Sequence, residues 1–220
     1  MNTPLTVEAW MEIAPEDDAV FRDVIAPWLD KQHRTLTAYD KKRPGTPWYV
    51  FHDHVMRVAD MGLAFALHLG VPKHAATWYY HALRVHDCGK TLLPVSIWDS
   101  ENKPTDAVKN KRRSHAPLGA QMIEIELPGD HPFTAFAADI ARHHHAQMDG
   151  KGFLGVNAAK LNAWVRASCI VDSYDGMSVW RPHYGDRDIS PQAVYQRLAV
   201  EKGAAVYDAV LLKAFGEFLA

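Results

Sequence analysis

Seven residues of this 220-residue chain have the types and positions to hold metal ions: His54, His86, Asp87, His115, His144, His145 and Asp172. Imidazole and carboxylate donors of this kind suit Fe, Mn, Zn, Co or Ni. The chain carries thirteen histidines, so placement decides which of them matter. Read at helical period, His54, Val58, Met61 and Phe65 form one apolar stripe that begins with an imidazole. Trp78, Ala82, Val85 and His86 form another, and Asp87 follows at once. A buried carboxylate beside a histidine is costly unless a cation compensates it. The stripe Leu161, Val165, Ser168, Asp172, Asp175 ends in two acids three residues apart, which repel unless something positive lies near.

Each residue also has a plainer reading. His54 could be a core histidine bonded to a carbonyl, and His86-Asp87 and the two acids could be solvated helix ends. The run from His143 to His145 could be a basic last turn complementing the helix dipole. His115 could be a surface residue after the basic stretch Lys109 to Arg113. Five helices that each place a metal-type ligand at an end or on a core face are harder to explain singly. Ligands scattered in this way are what a metal site in the core of a helical bundle looks like in sequence. The two cysteines, Cys88 and Cys169, form no CxxC pair, which argues against a structural zinc site and suits a reducing, cytoplasmic compartment.

The elements that must position these residues read as helical almost throughout, with no run of strand alternation. One or two amphipathic helices are expected over about 7–36, broken at Pro15 or Pro27, then a charged loop over 40–47. Thr46-Pro47 reads as the cap and first turn of a helix ending at Gly70. Further helices are expected over about 73–87, from Thr105-Asp106 to before Pro128-Gly129, over 132–145 and over 158–179. The last two are a helix after Ser190-Pro191 and one from about 204 to the end. Residues 91–102 and 149–152 read as irregular. The fold class is therefore all-α, with a helical extension over 1–47, whose Trp10, Phe21 and Trp28 suggest packing on the rest, and a domain over 48–220.

Bulk properties narrow the partners. A net charge of −2 gives no general attraction for duplex nucleic acid or acidic lipid. The first ten residues lack a basic start and an apolar core, so no signal peptide is expected, and the apolar run over 61–71, interrupted by His68, is too short for a membrane span.

The ordered set His54, His86-Asp87, His115, His144-His145, Asp172 resembles the HD superfamily of metal-dependent phosphohydrolases, and within it the HD-GYP branch, which hydrolyses cyclic di-GMP. His86-Asp87-Cys88-Gly89-Lys90 is similar to the HDxGK signature. Pro94, Ile97, Lys103-Pro104 and Thr105 follow the family's loop to the next helix, and His115-Ala116-Pro117-Leu118-Gly119 resembles its HPxxG step with the proline one place later. His144-His145, Asp149-Gly150 and Gly152 resemble HHxxxDGxGYP. Asp172-Ser173-Tyr174-Asp175-Gly176-Met177 with Arg181-Pro182 resembles DxxDAM…RP, and Tyr207-Asp208 resembles FDP. The resemblance covers about residues 48–216. Ala146, Phe153 and Leu154 stand where the family has Glu, Tyr and Pro.

That resemblance implies an HD-domain bundle and a phosphodiesterase acting on a small-molecule phosphodiester or nucleotide, with cyclic di-GMP the leading candidate and signalling the setting. It implies two first-row ions, Fe or Mn foremost and Zn, Ni or Co as alternatives, because Val50 replaces the Glu that holds a third metal in some members. Asp87 would bridge the ions, with His54, His86 and Asp172 on one and His115, His144 and His145 on the other. A hydroxide activated by both would attack phosphorus. Lys90 and Asp175 join Asp87 as catalytic candidates, and Lys90, Asp149, Gly150 and Arg181 are the substrate-binding candidates. An HD-family nucleotidase or phosphomonoesterase, a di-iron oxygenase and a non-catalytic nucleotide-binding module are the alternatives.

Overall fold

Apolar residues at helical spacing build one large core from nearly every helix of the chain. The computed structural model describes residues 5–44, 47–99 and 104–220. Its α-helices are α1 (Ala26–Asp40), α2 (Phe51–His68), α3 (Lys73–Leu83), α4 (Asp106–Arg113), α5 (His115–Glu126), α6 (Pro132–His143), α7 (Ala163–Ser178), α8 (Pro191–Gln196), α9 (Gly203–Val206) and α10 (Ala209–Leu219). Among the described residues, strand pairing is limited to a single bridge between Gln147 and Asn157. The chain is all-α.

The N-terminal segment contributes Leu5, Met11, Phe21, Ile25, Trp28 and Leu29 to the same core as α2, α3, α6 and α7. Trp78 is boxed by Trp10, Phe21 and Phe133 at centroid separations of 4.8–5.6 Å. Aromatic rings bury the largest apolar area per residue and prefer such edge-on packing. A smaller cluster forms where α1 ends and α2 begins, from Leu36, Tyr39, Phe51 and Val55 with Tyr49 and Trp98 against it.

Several expected boundaries shift, each for a local reason. Pro27 does not break the N-terminal helix: it follows a π-helical turn, Phe21–Ile25, that runs directly into α1. Pro15 instead sits in a short turn, Pro15–Asp17. Helix α2 starts at Phe51 rather than at Pro47; Thr46, like Lys103, lies outside the described residues. Helix α3 stops at Leu83, so His86 and Asp87 lie in the turn after it rather than on its face. Thr105 does cap a helix, its hydroxyl accepting from Val108 N, but that helix ends at Ser114 and α5 begins as a separate element. Helix α6 ends at His143, leaving His144 and His145 in a turn, and α7 begins at Ala163 under an Asn162 cap. The C-terminal helix is cut at Tyr207, and Asp208 caps α10 through Val210 N and Leu211 N.

Candidate metal centre

Four helix ends and one helix interior converge on the seven residues. His54 projects from the first turn of α2 and Asp172 from the middle of α7. His115 opens α5, His144-His145 follow α6, and His86-Asp87 occupy the turn before Cys88–Leu92. Glycine permits the closest approach. A Cβ on Gly89 would stand 2.1 Å from the His115 carbonyl oxygen and 2.4 Å from Gly119 N. The turn bearing Asp87 therefore lies directly on α5, which puts Asp87 Oδ1 3.1 Å from His115 Nε2.

Asp87 stands at the joint of the site. Its Oδ2 faces His54 Nε2 at 3.4 Å and His86 Nε2 at 3.6 Å, and its Oδ1 faces His115 Nε2 at 3.1 Å and His144 Nε2 at 3.7 Å. Asp172 also spans the site: Oδ1 lies 3.1 Å from His54 and 3.5 Å from His86, and Oδ2 lies 3.4 Å from His145 Nδ1. The donor atoms of His54, His86 and Asp87 lie within 4.8 Å of one another, and so do those of His115, His144 and His145. Both groups could hold an ion, since two ligands on one first-row ion sit roughly 3 Å apart for bonds of about 2.0–2.2 Å.

The imidazoles are aimed. Nδ1 of His86, His115 and His144 donates to the carbonyls of Leu83, Arg112 and Ala141 at 2.7, 2.6 and 2.9 Å. His54 Nδ1 donates to Asp175 Oδ2 at 2.6 Å, and Arg57 grips the same carboxylate at 2.6 and 3.0 Å. A donor fixed at Nδ1 leaves the Nε2 lone pair turned into the site, the usual arrangement for metal-bound histidine. His86 Nε2 is buried and makes no hydrogen bond among the described residues; it faces Asp87 Oδ2 at 3.6 Å and Asp172 Oδ1 at 3.5 Å. Buried polar atoms are rarely left so, and an imidazole nitrogen facing two carboxylates at these distances fits a cation held by all three.

The electrostatics differ from side to side. Burial pushes the His54 imidazole down, but its bonds to Asp172, Asp175 and Asp87 outweigh burial and hold it at about 10. Burial, with His115 and Lys90 nearby, drives His145 down to about 3, and burial with His145 and His86 keeps His144 well below the ordinary imidazole value. Burial alone would raise Asp87; Lys90, His86 and the bonds from His115 and His54 instead hold it well below the usual carboxylate range. The Lys90 ammonium pairs directly with Asp87 Oδ2.

A cavity of about 910 Å³ opens over the cluster, with His54, His115, His145, Asp172, Lys90 and Arg181 on its wall. Arg181 stacks 4.2 Å over the Tyr49 ring, donates to the Gly176 carbonyl, and keeps a buried Nε with no partner. Asp175 sits behind His54 rather than on that wall. Asp149 and Gly150 do not line the cavity; Asp149 accepts from Lys151 N inside its own exposed loop. Sequence reasoning missed Arg57, one turn after His54 on the same helix face, which was a readable signal. It also missed the aromatic and basic wall of Trp48, Tyr49, Phe51, Trp98, Arg112 and Arg113, whose members are scattered along the chain.

Comparison with known proteins agrees with this geometry. A family model described as HD domain matches residues 51–198. A cyclic di-GMP phosphodiesterase of Pseudomonas aeruginosa is 28% identical over 131 residues, covering 59% of this chain and 31% of the relative. A cyclic di-GMP phosphodiesterase of Vibrio cholerae is 31% identical over 113 residues, 48% of this chain and 23% of the relative. The chain thus spans about a third or less of these curated relatives. Among solved structures, the HD domain of the L. monocytogenes phosphodiesterase PgpH in complex with cyclic-di-AMP superposes with a TM-score of 0.51 at 19% identity, over 85% of this chain and 93% of that one. That likeness shows a shared fold. With the family match covering most of the chain and its histidines and aspartates gathered in one place, the chain belongs to the HD domain family.

Proposed function

We propose that this chain is a metal-dependent phosphodiesterase that opens a cyclic dinucleotide such as cyclic di-GMP. The observation that carries the reading is the pair of ligand groups flanking Asp87 at the floor of a cavity of about 910 Å³. That volume lies at the upper end of small-molecule sites and suits two nucleotides better than one. The names of the relatives support the substrate class. His54, His86 and Asp172 would hold one ion, His115, His144 and His145 the other, with Asp87 shared and Fe or Mn foremost. When bound, such a pair would supply an acidified water and electrophilic stabilisation of the phosphoryl oxygens.

The chain's own residues would do the rest. Asp175, steadied by Arg57, keeps His54 oriented. Lys90, beside Asp87, places a cation where negative charge grows on the reacting phosphoryl group. Arg181, on the cavity wall, presents its guanidinium to a second phosphate. Trp48 and Phe153 present faces on which bases can stack. The reading places the catalytic unit at 48–220 and a cytoplasmic setting around two unpaired buried thiols. Among the described residues no helix is long and apolar enough to cross a membrane.

The test is a screen of iron-, manganese- and nickel-loaded protein against cyclic di-GMP, cyclic di-AMP, linear dinucleotides and nucleoside monophosphates in ¹⁸O-water. A linear dinucleotide carrying one heavy oxygen is the expected product. Turnover of monophosphates alone would replace the reading with a phosphomonoesterase, substrate-dependent oxygen consumption with an oxygenase, and nucleotide binding without turnover with a receptor module.

A further inference from the structure

Lys90 has a second set of neighbours besides Asp87. It is 7% exposed, and its ammonium lies 4.3 Å from the centroid of Phe51 and 5.7 Å from those of Tyr49 and Trp98. All three rings are within the range at which an aromatic quadrupole attracts a cation. The cage is itself built rigidly. The guanidinium of Arg43 lies 3.9 Å from the Phe51 centroid. Arg43 is held by Asp40 at 2.6 Å, by both oxygens of Asp99 at 2.5 and 2.7 Å, and by the Tyr49 carbonyl at 2.8 Å. The Trp98 indole donates to Tyr39 Oη at 2.7 Å, and that hydroxyl donates to the Leu93 carbonyl at 2.7 Å.

From this arrangement we propose that Phe51, Trp98 and Arg43 are positioning residues for Lys90, an aromatic cage and its lock that keep the ammonium at the reacting phosphoryl group. The inference rests on the proposed hydrolase reading. Asp87 is the carboxylate shared by both ligand groups, so an ion bound there withdraws the oxygens with which Lys90 pairs. A lysine released from that carboxylate and held by nothing else would swing along its flexible stem. The cage supplies a place that does not depend on Asp87, so the ammonium stays at the cavity wall, ready for a phosphate. Tyr39, Asp40, Arg43 and Tyr49 lie outside residues 51–198, the segment that defines the family match. The segment after α1, with Arg43 and Tyr49, is thus part of the site wall, and the end of α1 supports it.

The test replaces Phe51 with mono-, di- and trifluorinated phenylalanines, which keep the ring's shape and weaken its quadrupole. In metal-loaded protein kcat on the cyclic dinucleotide should fall stepwise, by about 5- to 30-fold at the end of the series. Metal content, melting temperature and KM should stay in place. In a Lys90→Met background the same series should be flat. Trp98→Leu, on a less buried side chain, should reproduce part of the loss and also be silent in Lys90→Met. Protein labelled with ¹³C at lysine Cε gives a readout independent of activity: the Lys90 signal should lie upfield of the other lysines with and without metal, and move toward them in Trp98→Leu. A flat series in active wild-type protein, an equal series in Lys90→Met, or an unshifted Lys90 signal overturns the proposal. Wild-type protein that binds metal and hydrolyses nothing overturns the hydrolase reading and the cage's catalytic consequence with it, while the Lys90 signal still reports the cage.

Discussion

The two ligand groups share Asp87 but live in opposite electrostatic surroundings. His54 meets three carboxylates, Asp87, Asp172 and Asp175, and is held at about 10. On the other side, the rings of His144 and His145 lie 4.0 Å apart and His115 Nε2 is 3.3 Å from His144 Nε2; there His145 is pushed down to about 3. One side is a proton holder backed by charge; on the other, burial keeps His144 and His145 unprotonated. An ion entering the first side must displace a proton, and an ion entering the second need not. The carboxylate side should therefore bind its ion more tightly at high pH, whereas His144 and His145 add no such dependence to the other side.

The largest way to break this comparison is to remove what both sides share. Asp87→Ala should cost hydrolysis on the order of 10⁴-fold or more, the scale seen when a member of a catalytic unit is deleted. Metal analysis should find both sites depleted together; retention of one ion at full occupancy would mean that Asp87 serves only one side.

Asp175→Asn sharpens the comparison by acting on one side. It removes the charge behind His54, and changes to such outer partners typically cost about 10- to 100-fold in metal affinity. Calorimetric titration should show one weakened step and one unchanged step. Two weakened steps would mean that the halves are coupled through Asp172 more strongly than their separate surroundings imply.

The pH dependence follows from the direction of the shifts. His54 is protonated below about 10 in the metal-free protein, so its side should gain roughly tenfold in affinity per pH unit as pH rises from 6 to 9. On the other side His144 and His145 add no such dependence, because burial has already removed their protons below that range. The same raised value gives metal-free protein a stabilising contribution that is fully present below about pH 6.5 and is lost as pH rises toward 10. Titrations in buffers of different ionisation enthalpy would count the protons released at each step; none at the first step would remove the asymmetry.

The smallest expected effect is at Gly89. A methyl group there meets backbone atoms of α5 that cannot rotate away. Gly89→Ala should cost about 1–3 kcal/mol in stability, read as a lower melting temperature, and should loosen the second ion severalfold by lifting His115 from Asp87. An unchanged melting temperature would show that α5 can shift without cost.

A polar residue on an apolar stripe breaks a pattern that local reading detects, which singled out His54, His86 and Asp172; Asp87, His115, His144 and His145 stood out by type and order along the chain, and it is packing that brings the seven together. The all-α class was legible for the same reason: helix periodicity is a short-range property of the chain. Helix ends were read less well. His86-Asp87 and His144-His145 looked like continuations of α3 and α6, and they lie in the turns beyond, where the backbone bends toward a site that only long-range packing creates. Asp149-Gly150 matched a motif and yet folds away from the cavity, since a motif records order along the chain and not the direction of a loop.

What the sequence determined by itself is the inventory: which side chains can ligate, the order in which they stand along the chain, and that the class is all-α. Tertiary structure alone decided which groups share a space. It set Asp87 between two histidine groups, made His54 a proton holder and His145 a bare base, and brought Arg43 and Tyr39 from the N-terminal segment to the ring that cages Lys90. The reason is that proton affinity and cation–π attraction depend on distance and burial, and both arise only when residues far apart in the chain are packed together.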